Sequence, residues 1–175
     1  MQPAMNLTKL ALVSALTLGL SACATTSTNQ PSADVRFSDV AEQIVTYRES
    51  VNPYKQEVDG YLLPNLTPEN LQAQQQKRLI LLAELDGIDV AKLDDENKIN
   101  LQIIRAQVQN QVDEYAFNAH YMPLTSEYGF HSSLSFMVSS GDYSSKEGFD
   151  TYLKRLSQVP RFFAQNMFWM KKGLE

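Results

Sequence analysis

Seven apolar positions set at steps of three and four constrain this chain more than any other feature. Leu101, Ile104, Val108, Val112, Tyr115, Ala119 and Met122 recur at helical period, so they line one face of a single helix. Asp94 is the expected N-cap, Asp95 and Glu96 complement the positive end of the dipole, and Pro123 ends the run. The helix is predicted over residues 95–120, a rod of roughly 40 Å at 1.5 Å per residue. A rod of that length in so small a chain must be flanked by other helices that cover its stripe. The predicted fold is therefore all-α, an antiparallel helical assembly around one long central helix.

The flanking helices have their own start and stop signals. Ser38 is a predicted N-cap, followed by Val40, Ile44 and Tyr47 until Asn52-Pro53 stops the run. Residues 54–64 read as irregular, with Gly60 and Pro64 as breakers. Thr67-Pro68-Glu69 opens the next helix with a capping hydroxyl, a proline at the first position and a dipole-matched acid. Its predicted stripe is Leu79, Leu82 and Leu85, and Gly87 suits a left-handed residue past its end. Gln72 and Gln74 to Gln76 read as helix surface, because glutamine is a good helix former. Residues 121–143 are rich in serine and aromatics, and residues 133–138 read as a short helix or a buried turn. Ser144 with Glu147 forms a predicted capping box before a face of Phe149, Tyr152, Leu153 and Leu156. Pro160 opens a last helix with a stripe of Phe163, Met167, Met170 and Leu174, still running at Glu175.

The N-terminal residues carry a different signal. Leu20-Ser21-Ala22-Cys23 resembles a bacterial lipobox, the signal at which a leader is cut and the new N-terminal cysteine is lipidated. Lys9 supplies the positive region, and residues 10–20 are an apolar run well short of the ~20 that span a bilayer as a helix. Met5 serves as well as Met1 as a start, because the residues before it add nothing to this pattern. The expected organisation is a signal peptide over residues 1–22, a flexible tether over 23–35 and a helical domain over 36–175. The tether is small, polar and broken by Pro31, too poor in apolar surface to offset its ordering entropy. Cys23 is the lipidation residue and the membrane is the expected partner through it. Ala24, where an aspartate would retain the protein at the inner membrane, favours an outer-membrane location facing the periplasm or the exterior. Cys23 is also the only cysteine, which excludes an internal disulfide.

Most other chemistry is excluded. The formal net charge is −5 with no basic cluster, so nucleic acid is not an expected partner. Zinc catalysis takes three side-chain ligands, and the chain has two histidines, His120 and His131, with no third soft ligand beside them. His120 is expected near a helix C-terminus, where the dipole favours a cation. Gly129-Phe130-His131-Ser132-Ser133 sets serines beside a histidine but lacks the second glycine and the preceding strand of a nucleophile elbow; a hydrogen-bonded loop is expected. Asp86, Asp89, Asp94, Asp95 and Glu96 lack the alternating ligands and central glycine of a calcium loop, so they read as caps and solvated surface. Asp113 and Glu114 are adjacent and diverge around their helix. The aromatics from Tyr115 to Trp169 read as core, with a lined groove as the alternative. No catalytic, cofactor-binding or metal-ligating residue is assigned, and Cys23 is the sole site residue.

Four segments carry a resemblance. They are Leu66-Thr67-Pro68-Glu69-Asn70-Leu71, the helix over residues 95–121, Gly148-Phe149-Asp150-Thr151-Tyr152-Leu153-Lys154-Arg155-Leu156, and Val159-Pro160-Arg161-Phe162-Phe163. In this order the chain is similar to the N-terminal part of the bacterial family called domain of unknown function 885. The resemblance implies a longer, mostly helical, metallopeptidase-like parent with a His-Glu-x-x-Pro-Gly-His motif far downstream. It also implies that a full-length relative holds zinc and that the missing C-terminal part is a partner of this one. The chain contains no His-Glu pair, so no catalytic role is carried to any residue here. The expectation is a lipid-anchored scaffold segment of a metal-dependent hydrolase. Its rival is a complete, non-enzymatic helical lipoprotein that binds a partner or stabilises the envelope.

Overall fold

In the computed structural model, residues 31–132, 134 and 143–175 are described. The leader, Cys23 and the tether up to Gln30 lie outside them, as do residues 133 and 135–138 of the expected short helix.

Helix α1, Ala33–Ser50, begins earlier than its sequence signals imply. Ser32 is its cap, the hydroxyl accepting from the Val35 N–H at 3.2 Å, so Ser38 lies within the helix and the last tether residues are helical. The cause is tertiary. The Asp34 carboxylate accepts from the Asp94 N–H at 3.1 Å and the Asn97 amide at 2.9 Å, fastening this first turn to another helix. Phe37, Val40 and Ile44 are its buried face.

Helix α2, Pro68–Asp86, starts as expected, with Thr67 accepting from the Asn70 N–H at 3.4 Å and proline in the first turn. Its buried leucines are Leu81, Leu82 and Leu85, whereas Leu79 is exposed. A helix packed between two neighbours, α1 and the helix Asp95–Ala116, needs a face wider than one stripe. Gly87 is right-handed, with φ −79°, not left-handed as predicted. The Ile88 N–H instead reaches back to the Leu85 carbonyl at 3.2 Å, which drives Ile88 into the core.

Helix α3, Asp95–Ala116, follows a 3-10 turn at Val90–Lys92. Asp94 caps it as predicted, accepting from the Asn97 N–H at 2.7 Å. Leu101, Val108 and Val112 are buried and Ile104 packs beside them. The predicted stripe stops there, since Met122 and Ala119 are exposed. Asn118 adopts φ 56° and reverses the chain into a 3-10 turn at Ala119–Tyr121. Asparagine tolerates that left-handed conformation better than most residues, and it ends the rod before His120.

Helix α2 runs antiparallel to α3, as Gln75 donates to the Val112 carbonyl at 3.2 Å while Asp86 pairs with Arg105. Helix α1 runs parallel to α3 (Asp34 beside Asn97, Arg48 beside Gln107). The three bury one core of Phe37, Val40, Ile44, Leu81, Leu82, Leu85, Ile88, Leu93, Leu101, Val108 and Val112.

Two further helices close a second core. Ser145, rather than Ser144, caps α4, Lys146–Ser157, accepting from the Gly148 N–H at 3.0 Å. Helix α5, Val159–Lys172, buries Phe162, Asn166 and Trp169 instead of Phe163, Met167, Met170 and Leu174. That face lies about 100° around the helix from the expected one. Leu63 and Phe162 are the centre of this core, with Leu66, Phe130, Leu134, Tyr152, Val159 and Phe163 around them. The architecture among the described residues is all-α, with only isolated bridges at Val58 with Tyr61 and Leu124 with Gly129. None of the described helices is long and apolar enough to cross a membrane.

Candidate functional site

The connection from α1 to α2 is a strap without regular structure, and α4 and α5 hold it by its backbone. Gln158 accepts from the Leu62 N–H at 2.8 Å and donates to the Gly60 carbonyl at 3.0 Å. Arg155 donates to the Leu62 carbonyl at 3.1 Å. Arg161 forks over the Leu63 and Pro64 carbonyls, at 3.1 Å each. Gln165 accepts from the Leu66 N–H at 3.0 Å and donates to Asn65 Oδ1 at 3.1 Å. The Trp169 indole N–H donates to the Leu66 carbonyl at 2.7 Å. These side chains recur at steps of three and four from the end of α4 along α5, so they form one polar ladder against the strap. The ladder satisfies backbone groups that the irregular strap cannot pair within itself. The strap turns sharply at Asp59 and Gly60, both left-handed. Burial lowers the Arg161 pKa, opposed by the Tyr61 ring 4.3 Å beneath its guanidinium.

A second junction joins α5 to the end of α3. His120 stacks on Tyr115 with centroids 5.3 Å apart and meets Tyr121 and Trp169 edge-on at 4.8 and 4.5 Å. Burial among these rings holds the His120 pKa below the usual histidine value. The expected role as a dipole-stabilised cation is thus corrected. The left-handed Asn118 removes His120 from the helix end, and ring packing disfavours its charge.

The other sequence candidates separate. Ser132 is tied into a turn, its hydroxyl donating to the Gly129 carbonyl at 2.8 Å and accepting from the Gly129 N–H, while His131 packs edge-on to Phe130. This is the hydrogen-bonded loop anticipated for residues 129–132. Asp89 and Asp94 cap the turns that follow them, and Asp86 pairs with Arg105, as solvated caps should. Among the described residues no three histidine, cysteine or acidic side chains converge. A concavity of about 110 Å³ lies under the strap, against Val58, Tyr61, Asn65, Asn70 and Gln74. A wider, open groove along α1 and α2 carries Asp39, Glu42, Tyr47 and Lys77, with no convergent set for catalysis.

Arg161 lies in the segment Val159-Pro160-Arg161-Phe162-Phe163, but its place in the ladder is not among the sequence expectations. The ladder's signal is Gln158, Arg161 and Gln165 at steps of three and four, from the cap of α5 along one of its edges.

A model of a bacterial protein family of unknown function, DUF885, matches residues 53–175. The chain belongs to DUF885. The matched part of this DUF885 chain begins in the strap and runs through α2 to α5, so it includes the whole ladder and the aromatic junction. No curated protein and no solved structure matches it.

Proposed function

We propose that this chain is the lipid-anchored N-terminal helical scaffold of a metal-dependent, peptidase-like hydrolase of the DUF885 family, with no catalytic residue of its own. The observation that carries the reading is a row on α4 within the family-matched residues. Phe149, Leu153 and Leu156 stand at steps of four and three, and are 46%, 48% and 38% exposed. An apolar row left facing outward marks an interaction surface. The catalytic part of a longer family member covers that row, and the helices here form one wall of its substrate cleft. Any zinc belongs to that other part. Leu20-Ser21-Ala22-Cys23 supplies the anchor, with the leader cut before Cys23 and the protein held at the outer membrane, facing the periplasm or exterior.

Three measurements test the proposal. Expressed in a Gram-negative host, the chain takes up labelled fatty acid and fractionates with outer membranes, and Cys23→Ala leaves unprocessed, unlabelled precursor. Unchanged labelling in that variant refutes the anchor. Co-expressed with the downstream segment of a longer family member, the chain co-purifies with it, and Leu153→Glu releases it. Peptide hydrolysis by this chain alone refutes the non-catalytic scaffold.

A further inference from the structure

We propose that α4 and α5 form an arm that releases from the strap as one unit while the α1–α3 bundle stays folded. The two halves bury separate cores, one centred on Leu81, Leu85 and Leu101 and the other on Leu63 and Phe162. Among the described residues the arm meets the rest of the chain through the strap ladder, the small second core, the Lys154–Glu57 ion pair and the ring junction of His120, Tyr121 and Trp169. Helix α4 has no buried residue, and among the described helices it packs chiefly against α5. Most of the ladder consists of side chains on backbone carbonyls and amides that water can replace. The α1–α3 core is apolar packing that water cannot replace. A unit held by exchangeable polar contacts and a core of two buried side chains, against eleven in the α1–α3 bundle, opens below the global unfolding free energy. Release uncovers Leu63, Leu66 and Phe130 together and leaves the strap as the plain link between α1 and α2. The closed arm is thus a cover over an apolar edge that α2 and α3 do not shield.

Hydrogen exchange read by mass spectrometry on the full chain tests this. Amides of α4, α5 and the strap, including Leu62 and Leu66, are expected to exchange at one common rate, faster than those of residues 79–85 and 101–112. Arg161→Ala removes a charged donor that touches only the strap and its own helix. It is expected to speed exchange of the arm and strap by about tenfold and to leave the α1–α3 amides unchanged. Equal protection of α5 and α3 in the unmodified chain overturns the proposal. So does an Arg161→Ala variant in which both regions accelerate alike.

Discussion

Leu63 has no exposed surface and sits where the strap meets α5 against Phe162. Leu63→Ala is expected to cost about 2–5 kcal/mol, the range for a buried leucine that leaves a cavity, measured by urea unfolding. His120 gives a second prediction, with a definite sign. Its folded pKa lies below 6.5, so the folded state disfavours the proton that the unfolded chain accepts. The stability this contributes is present above pH 6.5 and is lost as the pH falls through the depressed folded value. Urea midpoints at pH 7.5 and 5.5 should therefore differ more for the parent chain than for His120→Gln. Asp34 acts at lower pH. The Asn97 amide and the Asp94 N–H lower its pKa below 3.8, so its contribution holds above that value and disappears in stronger acid. These residues were poorly legible in the sequence, because each owes its state to partners on another element. Leu63 follows another leucine in an irregular run, with no periodicity to show that both are buried.

At the scale of elements, the capping signals translated most directly. Thr67 and Asp94 cap the helices that their local sequence announces, since the contact spans only three residues. Asp94→Ala is expected to destabilise the chain by about 1 kcal/mol in thermal unfolding, and Asp94→Asn by much less. On α3, Val108→Glu puts a carboxylate into the three-helix core and is expected to cost several kcal/mol, whereas Gln102→Glu on the exposed side stays within about 0.5 kcal/mol. Faces of helices were less legible than their ends. Helix α5 carries two apolar rows, and the row with more consistently apolar residues, through Phe163 and Met167, is the more exposed one. Asn166 interrupts the buried row and disguises it. Its amide donates to the Phe162 carbonyl at 2.8 Å, which satisfies in place a polar group that a pattern search counts as surface. Ser38 misled for the converse reason. A capping residue precedes an apolar run there, but the contact from Asp34 to Asn97 extends the helix past it.

For the molecule as a whole, the all-α class and the antiparallel α2–α3 pair were legible, because a long stripe demands cover and a short connection forces a return. The division into two cores was not. It depends on a strap paired through side chains, and side chains that bond to a backbone leave no periodic trace. The meeting of the two halves has an optical consequence. Trp169 is the only tryptophan, its ring stands 4.5 Å from His120, and it is 8% exposed. Indole emission from this protein thus reports on one address, the seam between the bundle and the arm. A protonated imidazole accepts an electron from an excited indole, whereas a neutral one does so poorly. Acidification should dim the emission at the pKa of His120, and His120→Gln should abolish that step. The molecule carries its own lamp at its own joint, and both the ionisation of the histidine and the parting of the rings can be followed by light without an added label.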